Sequence, residues 1–279
     1  MTGIVDVGGG MRAIYGAAVF DWCLDNDIHY DYCLGVSAGS ANIASFLGKQ
    51  KGRNYRYYAQ YSRRKAYMSW GNYLKKGSYL DLEYVYGTMA NHGGEDPLDW
   101  KTIEKDSSIY LTVATNAKTG KPVYFPKNAM RQDDYRVMMA SSCLPLACRA
   151  YRIDGVPYYD GGLSDPVPVR KAVADGCDKV VVLLSRPLDF VRTPKKDIFP
   201  SRLIGLRYPK AGEGLRNRAA LYNDGVAFAK ELQKNGKALI IAPDTIEGID
   251  TLGKDAEALK RLYRKGLHDA EQIKDFLKT

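Results

Sequence analysis

Histidine is scarce in this sequence of 279 residues: the chain has three, and they are widely separated. The cysteines are odd in number and equally scattered. Neither set has the close spacing of metal ligands, so we expect no metal site, no cofactor and no requirement for calcium. We expect the cysteines to be reduced thiols that pack as small apolar side chains. The residues concerned are His29, His92, His268, Cys23, Cys33, Cys143, Cys148 and Cys177.

The sequence also lacks long apolar runs, repeats and linkers rich in Ser, Pro or Gly. No stretch approaches the length of apolar residues that crosses a bilayer. The N-terminus opens into the apolar segment 3–7 without the basic start and cleavage site of a signal peptide. We therefore expect a cytoplasmic protein with a single domain over residues 1–279. Residues 50–100 would form a cap-like insertion, and residues 190–279 a C-terminal extension of the same domain.

Acidic residues are absent from residues 32–80, where nine lysines and arginines fall. The formal net charge of the whole chain is +9, so the positive excess is local. Tyrosines and Trp70 are interleaved with these basic residues. Two interpretations remain open: peripheral binding to an anionic membrane surface, or solvated helices whose aromatic side chains pack on the core. No nucleic-acid-binding motif accompanies the segment, so we expect no nucleic-acid partner.

Short β-branched apolar runs alternate with helical patterns along the chain. This order predicts a three-layer α/β/α sandwich with a mostly parallel central sheet, because such runs are typical of strands buried on both faces. The predicted strands are 4–7, a strand leading into residue 37, 109–115, 122–125, short pieces within 149–159, 179–184 and 237–242. Two predicted helices follow the first and second strands and end near residues 24 and 48. Four others cover residues 133–142, 169–174, 215–234 and 254–277.

The pattern Gly35-x-Ser37-x-Gly39 lies between the second predicted strand and residues 38–47, whose small side chains predict a helix. A serine on such a tight strand-to-helix turn is held in a strained backbone, and the glycines allow the bend and the approach of a substrate. The N-terminus of the helix presents unpaired N–H groups to a developing oxyanion. Ser37 is therefore a candidate nucleophile, although Gly-x-Ser-x-Gly is also an ordinary turn sequence.

Two other glycine-rich segments carry candidate site residues. Gly8-Gly9-Gly10 directly follows the first predicted strand, where glycine N–H groups and a helix N-terminus can face an anion. Arg12 lies in the first helical turn, where a cation is unfavourable unless an anion offsets it. An anion-binding role and a solvated surface position are both open for Arg12. Asp160 precedes Gly161-Gly162, a sequence that by itself indicates only a turn.

Taken together, these segments resemble the patatin-like phospholipase family. Many members have an acidic residue or Gly directly before the triple glycine, where this chain has Val7, with Asp6 one place earlier. The resemblance covers most of the first 185 residues, and it is loose beyond about residue 190. In the family's order, it comprises Gly8 to Arg12, Gly35 to Ser40, Ala140 to Ser142 with Pro145, Ile153 to Gly155, Tyr159 to Gly162, and Pro166-Val167.

The resemblance implies a three-layer α/β/α fold and a lipid acyl hydrolase that uses a Ser-Asp dyad without histidine. Ser37 would be the nucleophile and Asp160 its partner, Gly8–Gly10 would form the oxyanion loop, and Arg12 would hold a lipid phosphate or brace that loop. The implied substrate is a phospholipid or lysophospholipid. Desolvation would raise the pKa of Asp160, so that it could accept the serine proton and return it to the leaving alcohol.

A conventional α/β-hydrolase is a second enzyme class that fits part of the pattern. It has Ser, Asp and His in chain order, which Ser37, Asp160 and His268 satisfy. However, His268 lies inside a helical pattern, and Ser37 follows only the second strand, too early for that fold. His29 and His92 precede Asp160, and we interpret both as surface or packing residues. A histidine triad is therefore disfavoured.

Two further classes remain as alternatives. A dinucleotide-binding oxidoreductase would share Gly8-x-Gly10-x-x-Ala13 after a strand. That motif needs an acidic residue at the end of the second strand, whereas Asp31 stands at its start, so this class is disfavoured. The other alternative is a non-catalytic, membrane-associated protein that keeps the fold. The presence of both Ser37 and Asp160 favours the hydrolase.

Overall fold

The computed structural model describes residues 1–253 and 255–278. Short 3₁₀ turns and a π-helical turn at Glu83–Met89 join its regular elements. The strands are β1 Thr2–Asp6, β2 Tyr32–Val36, β3 Ile109–Asn116, β4 Pro122–Pro126, β5 Tyr151–Ile153, β6 Val156–Asp160, β7 Lys179–Leu183 and β8 Ala238–Ile241. The helices are α1 Ile14–Asp25, α2 Ala38–Leu47, α3 Arg53–Ala59, α4 Trp70–Lys76, α5 Trp100–Lys105, α6 Arg136–Ser141, α7 Val169–Ala174, α8 Ile198–Gly205, α9 Pro209–Lys234, α10 Ala256–Asp269 and α11 Gln272–Lys278.

These strands form one twisted sheet whose centre is parallel. Strands β3, β2, β1, β7 and β8 lie side by side in that order, and each pair of neighbours is parallel. Strands β4 and β6 run antiparallel to β3, and β5 runs antiparallel to β6. The predicted α/β fold with a mostly parallel central sheet is confirmed.

Alternate residues of the central strands face two separate cores. Ile4 and Cys33 belong to a core that includes residues of α1, α2 and α10. Val5 and Leu34, their neighbours along the strands, belong to a core that includes residues of α7 and α9. Because successive side chains of a strand point to opposite faces, helices cover both sides of the sheet. This double burial explains the continuous apolar runs that the parallel strands show in the sequence.

Several helix boundaries differ from the predicted ones for local reasons. Helix α6 starts at Arg136 rather than near 133, because Asp133 has a left-handed φ of 64° that no α-helix accommodates. Helix α9 starts at Pro209, six residues earlier than predicted, and proline is well suited to a first helical position. The single helix predicted over 254–277 is two helices, α10 and α11, and Lys254 lies outside the described residues.

The basic, aromatic segment between residues 50 and 80 combines features of both interpretations made from the sequence. Tyr58 and Tyr67 are buried in the first core, and Tyr55, Tyr57 and Tyr79 pack against it while partly buried. Helix α4, by contrast, leaves Trp70 and Leu74 exposed by 72% and 85%. Within residues 1–253 and 255–278, no helix is both long and apolar enough to cross a bilayer. Several cations of the segment are neutralised by carboxylates outside it, in the pairs Lys51–Asp25, Arg53–Asp96, Arg56–Asp96, Arg64–Glu95 and Lys76–Asp81.

The cysteines pack as predicted. All five are buried, and their thiols are free. Burial raises the pKa of the Cys177 thiol to about 11, and it raises the pKa of the Cys23 thiol to about 12. Thiols that stay protonated at neutral pH are poor nucleophiles, so these cysteines act as small apolar side chains.

Candidate active site

Ser37 occupies a sharp turn between β2 and α2. Its backbone has φ 55° and ψ −129°, a combination that non-glycine residues rarely adopt and that costs about 1–3 kcal/mol. Two hydrogen bonds hold the turn: the Ser37 N–H donates to Oγ of Ser141 (2.8 Å), and Oγ of Ser40 donates to the Ser37 carbonyl (2.6 Å). The predicted strand-to-helix turn is therefore present, and it fixes the direction of the Ser37 side chain.

The two glycines around Ser37 are required by close backbone approaches. A Cβ on Gly35 would lie 2.5 Å from the Cα of Ser40, and a Cβ on Gly39 would lie 2.4 Å from the carbonyl oxygen of Asp6. Real Cβ atoms do not come this close to backbone atoms, so α2 could not pack against β1 and β2 with any larger residue at either position. The Gly-x-Ser-x-Gly pattern thus reflects the packing of three elements as well as the turn.

Sheet register brings Asp160 next to Ser37. Val36, at the end of β2, pairs with Val113 of β3, and Asp160, at the end of β6, pairs with the next residue, Ala114. Ser37 and Asp160 therefore emerge at adjacent positions along β3, although 123 residues separate them in the chain. The two residues that the sequence singled out as nucleophile and partner are brought together.

The Asp160 carboxyl is held in a desolvated position. It is 4% exposed, and Oδ1 accepts a hydrogen bond from the Gly162 N–H (2.8 Å). Oδ2 is buried and has no hydrogen-bond partner among the described residues. Burial raises the pKa of Asp160, and the Ser37 side chain and the Gly162 N–H lower it by a smaller amount. Catalytic hydrogen bonds often tighten only when substrate binds, so Oδ2 is free to accept the Ser37 proton.

The glycine-rich loop between β1 and α1 has a left-handed backbone throughout. Gly8, Gly9 and Gly10 have φ values of 66°, 128° and 62°. The Gly8 N–H donates to Oδ1 of Asp6 (2.8 Å), so it is not free for an oxyanion. Among the described residues, the N–H groups of Gly9 and Gly10 have no hydrogen-bond acceptor. Of the three predicted loop glycines, Gly9 and Gly10 are therefore the available donors.

Asp6 is a site residue to which the sequence assigned no role. It is 2% exposed, and its carboxylate accepts hydrogen bonds from the Gly8 N–H and from Nδ2 of Asn42 (2.8 Å). Asn42 also donates to the Ala13 carbonyl and accepts from the Tyr58 hydroxyl. Burial raises the pKa of Asp6 to about 6. The network ties the glycine loop to α2, the helix that begins at the nucleophile.

Arg12 is buried rather than solvated. Its side chain is 5% exposed, and Nη1 donates to Oγ1 of Thr251 (3.1 Å), while Nε has no acceptor among the described residues. Desolvation, together with the positive charges of Arg186 and Arg192, lowers the pKa of Arg12 to about 10. The surface position that the sequence left open for Arg12 is therefore wrong.

Ser37 stands where two cavities of different character meet. The first is narrow, about 60 Å³, and is lined mainly by apolar and aromatic side chains from α2, α3 and the π-helical turn, including Ala41, Ala44, Tyr58 and Val85. The second is about 350 Å³ and contains Asp160, Gly9, Gly10 and several basic side chains. Ser37 lines both cavities. The nucleophile candidate thus separates an apolar compartment from a charged one.

The histidines lie away from this junction. His268 on α10 is 73% exposed and faces Glu271, with 3.8 Å between Nδ1 and Oε1. His29 and His92 are also exposed. None of the three lines the cavities described at Ser37. This arrangement agrees with the interpretation that the site works without histidine.

Comparison with models of known protein families gives a match over the same site residues. The model of the patatin-like phospholipases matches residues 7–173, which contain the glycine loop, Ser37 and Asp160. The chain belongs to the patatin-like phospholipase family. A second model, for a domain of unknown function (DUF6363), matches residues 208–278, which include all of α9 and the elements that follow it.

Two proteins illustrate how far this patatin-like phospholipase resembles others. It is 28% identical over 198 residues to the uncharacterized protein YjjU of Escherichia coli (strain K12), a match that covers 69% of this chain and 54% of YjjU. The chain thus spans about half the length of that curated relative. Among solved structures, it is similar to VipD from Legionella pneumophila, with 14% identity and a TM-score of 0.48, over 98% of this chain and 66% of VipD.

Proposed function

We propose that this patatin-like phospholipase is a serine lipid acyl hydrolase of the phospholipase A or lysophospholipase type. Ser37 is the nucleophile, Asp160 is its proton acceptor, and Gly9 and Gly10 stabilise the oxyanion. The observation that supports this proposal most is the position of Ser37, with a desolvated carboxyl beside it and an apolar cavity on one side. A lipid ester has an apolar acyl chain on one side of its carbonyl and a polar alcohol on the other, which matches the two cavities.

The reaction has two steps, acylation of Ser37 and hydrolysis of the acyl-enzyme. Oγ of Ser37 attacks the ester carbonyl while Asp160 takes the hydroxyl proton, and the negative oxygen is stabilised by the free N–H groups of the glycine loop. The alcohol then leaves with the proton from Asp160, and the acyl group stays on Ser37. In the second step, water attacks the acyl-enzyme and gives its proton to Asp160. The fatty acid leaves, and the proton returns to Ser37.

The narrow apolar cavity is the proposed acyl-chain compartment, and its α2 wall offers a test. Ala44 lies seven residues beyond Ser37 on the same side of the helix, about 10 Å along its axis. We expect Ala44→Leu to fill the cavity at that depth and to lower kcat/KM for a decanoyl ester about tenfold, since one or two methylenes in an apolar pocket are worth that much. Hydrolysis of an acetyl ester, which does not reach Ala44, should change by less than about threefold.

Nitrophenyl esters of increasing chain length, measured with both proteins, check this expectation. The melting temperature of Ala44→Leu should be recorded as well, because the added volume can strain the core by about 1–3 kcal/mol. If the wild-type protein hydrolyses no ester of any length, the proposed hydrolase is wrong. If both proteins lose activity equally with chain length, the acyl chain lies elsewhere.

The exposed face of α4 supports a peripheral position at an anionic membrane surface. Trp70, Tyr73 and Leu74 are exposed there, next to the exposed Lys75, and aromatic and basic groups favour the interface of anionic bilayers. We expect the protein to sediment with phosphatidylglycerol vesicles, and the double variant Trp70→Ser, Leu74→Ser to bind them at least fivefold more weakly. Wild-type protein that stays in the supernatant at low salt would contradict this.

A further inference from the structure

The larger cavity at Ser37 holds a concentration of positive charge. Its lining includes Arg12, Arg186, Arg192 and Arg218, together with Lys196. These residues are far apart in the chain: Arg12 follows the glycine loop, Arg186 and Arg192 follow β7, and Arg218 lies on α9. Arginine guanidinium groups repel one another at close range, so tertiary structure that collects four of them in one cavity needs negative charge to balance them.

The carboxylates of the cavity balance only part of this charge. Asp197 is buried and pairs with Nη2 of Arg192 (3.2 Å) and with the guanidinium of Arg218, whose Nε lies 3.1 Å from Oδ2. Asp250 also lines the cavity, and its charge acts on Arg12 and Arg186. Within the described residues, however, neither arginine has a carboxylate at ion-pair distance. Arg186 is instead stacked on the ring of Phe190, with 4.2 Å between Cζ and the ring centroid. Two arginines thus remain without a directly paired carboxylate.

Unsatisfied donors point to the same place. Nε of Arg12, Nε of Arg192 and the hydroxyl of Tyr222 are buried and have no hydrogen-bond partner among the described residues. Each of these side chains lines the larger cavity. A buried donor without an acceptor is unfavourable, and three of them beside incompletely balanced positive charge describe a space for an anion with several acceptor oxygens.

Phosphate fits this description better than a carboxylate does. It carries up to two negative charges and presents three or more acceptor oxygens, and arginine binds it through paired N–H groups. The position also fits the chemistry, because the same cavity contains Ser37 and Asp160. An ester whose acyl chain occupied the apolar cavity would direct its alcohol portion toward the arginines.

We propose that Arg12, Arg186, Arg192 and Arg218, with Tyr222, form a phosphate-binding subsite beside Ser37. The ester substrate is then an acyl ester of a phosphorylated alcohol, such as a monoacylglycerol phosphate; this part rests on the proposed hydrolase function. Arg186 and Arg192 lie outside both regions that match family models. Arg218 and Tyr222 lie in residues 208–278, which match the model of the DUF6363 domain. That region therefore contributes to substrate recognition at the site of the patatin-like region.

Binding of inorganic phosphate tests the subsite without any need for activity. Arg186→Gln is the variant of choice, because Arg186 has no ion pair among residues 1–253 and 255–278 and its loss leaves Asp197 paired. Arg216→Gln is a matched control, since Arg216 is exposed on α9, two residues from Arg218, and does not line the cavity. Titration calorimetry at constant ionic strength should show phosphate and glycerol 3-phosphate binding to the wild-type protein and to Arg216→Gln, and binding at least tenfold weaker to Arg186→Gln. Arg186→Lys, which keeps the charge, should fall between them. Equal binding by all four proteins, or binding by none, would overturn the subsite.

Hydrolysis distinguishes a lipid headgroup from free phosphate as the ligand. With decanoylglycerol 3-phosphate and decanoylglycerol, the wild-type protein and Arg216→Gln should prefer the phosphate ester at least tenfold in kcat/KM, mainly through KM, and Arg186→Gln should lose this preference. Phosphate binding without that preference identifies free phosphate as the ligand and supports the subsite alone. If no ester is hydrolysed but phosphate binding still depends on Arg186, the hydrolase proposal fails and the subsite stands.

Discussion

Ser37→Ala is expected to lower kcat/KM for a decanoyl ester by a factor of about 10⁴ to 10⁶, the loss usual for removal of a serine nucleophile. Without Oγ no acyl-enzyme forms, and the free N–H groups of the glycine loop cannot replace it. The variant should fold, because the bonds that hold the turn are made by the Ser37 N–H and carbonyl, which alanine keeps. Ester hydrolysis and the melting temperature, measured on the same preparations, check both parts.

His268→Ala is the matched control for this result. His268 is exposed on α10, away from the cavities at Ser37, so its removal should change the rate by less than about twofold. If Ser37→Ala still hydrolyses the ester, another residue is the nucleophile. A large loss of ester hydrolysis in His268→Ala would instead support the histidine triad that the sequence disfavoured.

Asp160→Asn is expected to lower kcat for the same ester by a factor of about 10³ to 10⁴, because the amide cannot accept the Ser37 proton. Its geometry is conserved: an amide oxygen can still accept the Gly162 N–H that bonds Oδ1 in the wild type. The residual rate of Asp160→Asn should not depend on pH in the range where Asp160 titrates. A variant that keeps more than a tenth of the wild-type rate would exclude Asp160 as the proton acceptor.

The pH dependence of activity and that of stability should run in opposite directions at Asp160. Burial raises its pKa in the folded protein above the ordinary value of 3.8, so the folded state binds this proton more tightly than the unfolded state does. The contribution of Asp160 to the free energy of unfolding therefore decreases as pH rises from about 4 through the raised pKa. Activity increases over the same range, because only the ionised carboxylate accepts a proton. Asp160→Asn should lack the rise in activity, which rate profiles would show. In chemical denaturation at several pH values, its stability should fall less steeply with pH than that of the wild type, because other buried carboxyls such as Asp6 still titrate.

Local sequence patterns were sufficient for the strands, for part of the helices and for the nucleophile turn, whereas the helices α3, α4, α5 and α8 were not predicted. The β-branched runs of β7 and β8 and the period of α7 depend on neighbours a few residues away, and they were placed to within a residue or so. The Gly-x-Ser-x-Gly turn is equally local, since its conformation depends on the residues beside Ser37. Errors arose where one residue outweighed the pattern, as at Asp133, whose left-handed backbone delays the start of α6.

The arrangement of charges could not be predicted in the same way. Asp6 reads as a polar residue at the end of a strand, and only the packing of α2 against β1 makes it a buried carboxylate that binds Gly8 and Asn42. Arg186 offered one usable signal, its position just after β7, because ligands bind at the carboxyl ends of parallel strands. Arg218 offered none, since one arginine on a long polar helix has no local feature that distinguishes it from Arg216.

The α/β class, the glycine loop and the candidate role of Ser37 could be predicted from the order of residues alone, and the candidate role of Asp160 from the family resemblance. These depend on backbone conformation and side-chain periodicity, which short segments encode. Three features required the folded chain: β6 pairs with β3 in the register that brings Asp160 to Ser37, Arg12 is buried, and α9 adds Arg218 to the same cavity. Such contacts join residues far apart in the chain, and their geometry follows from strand order and helix packing rather than from any local pattern.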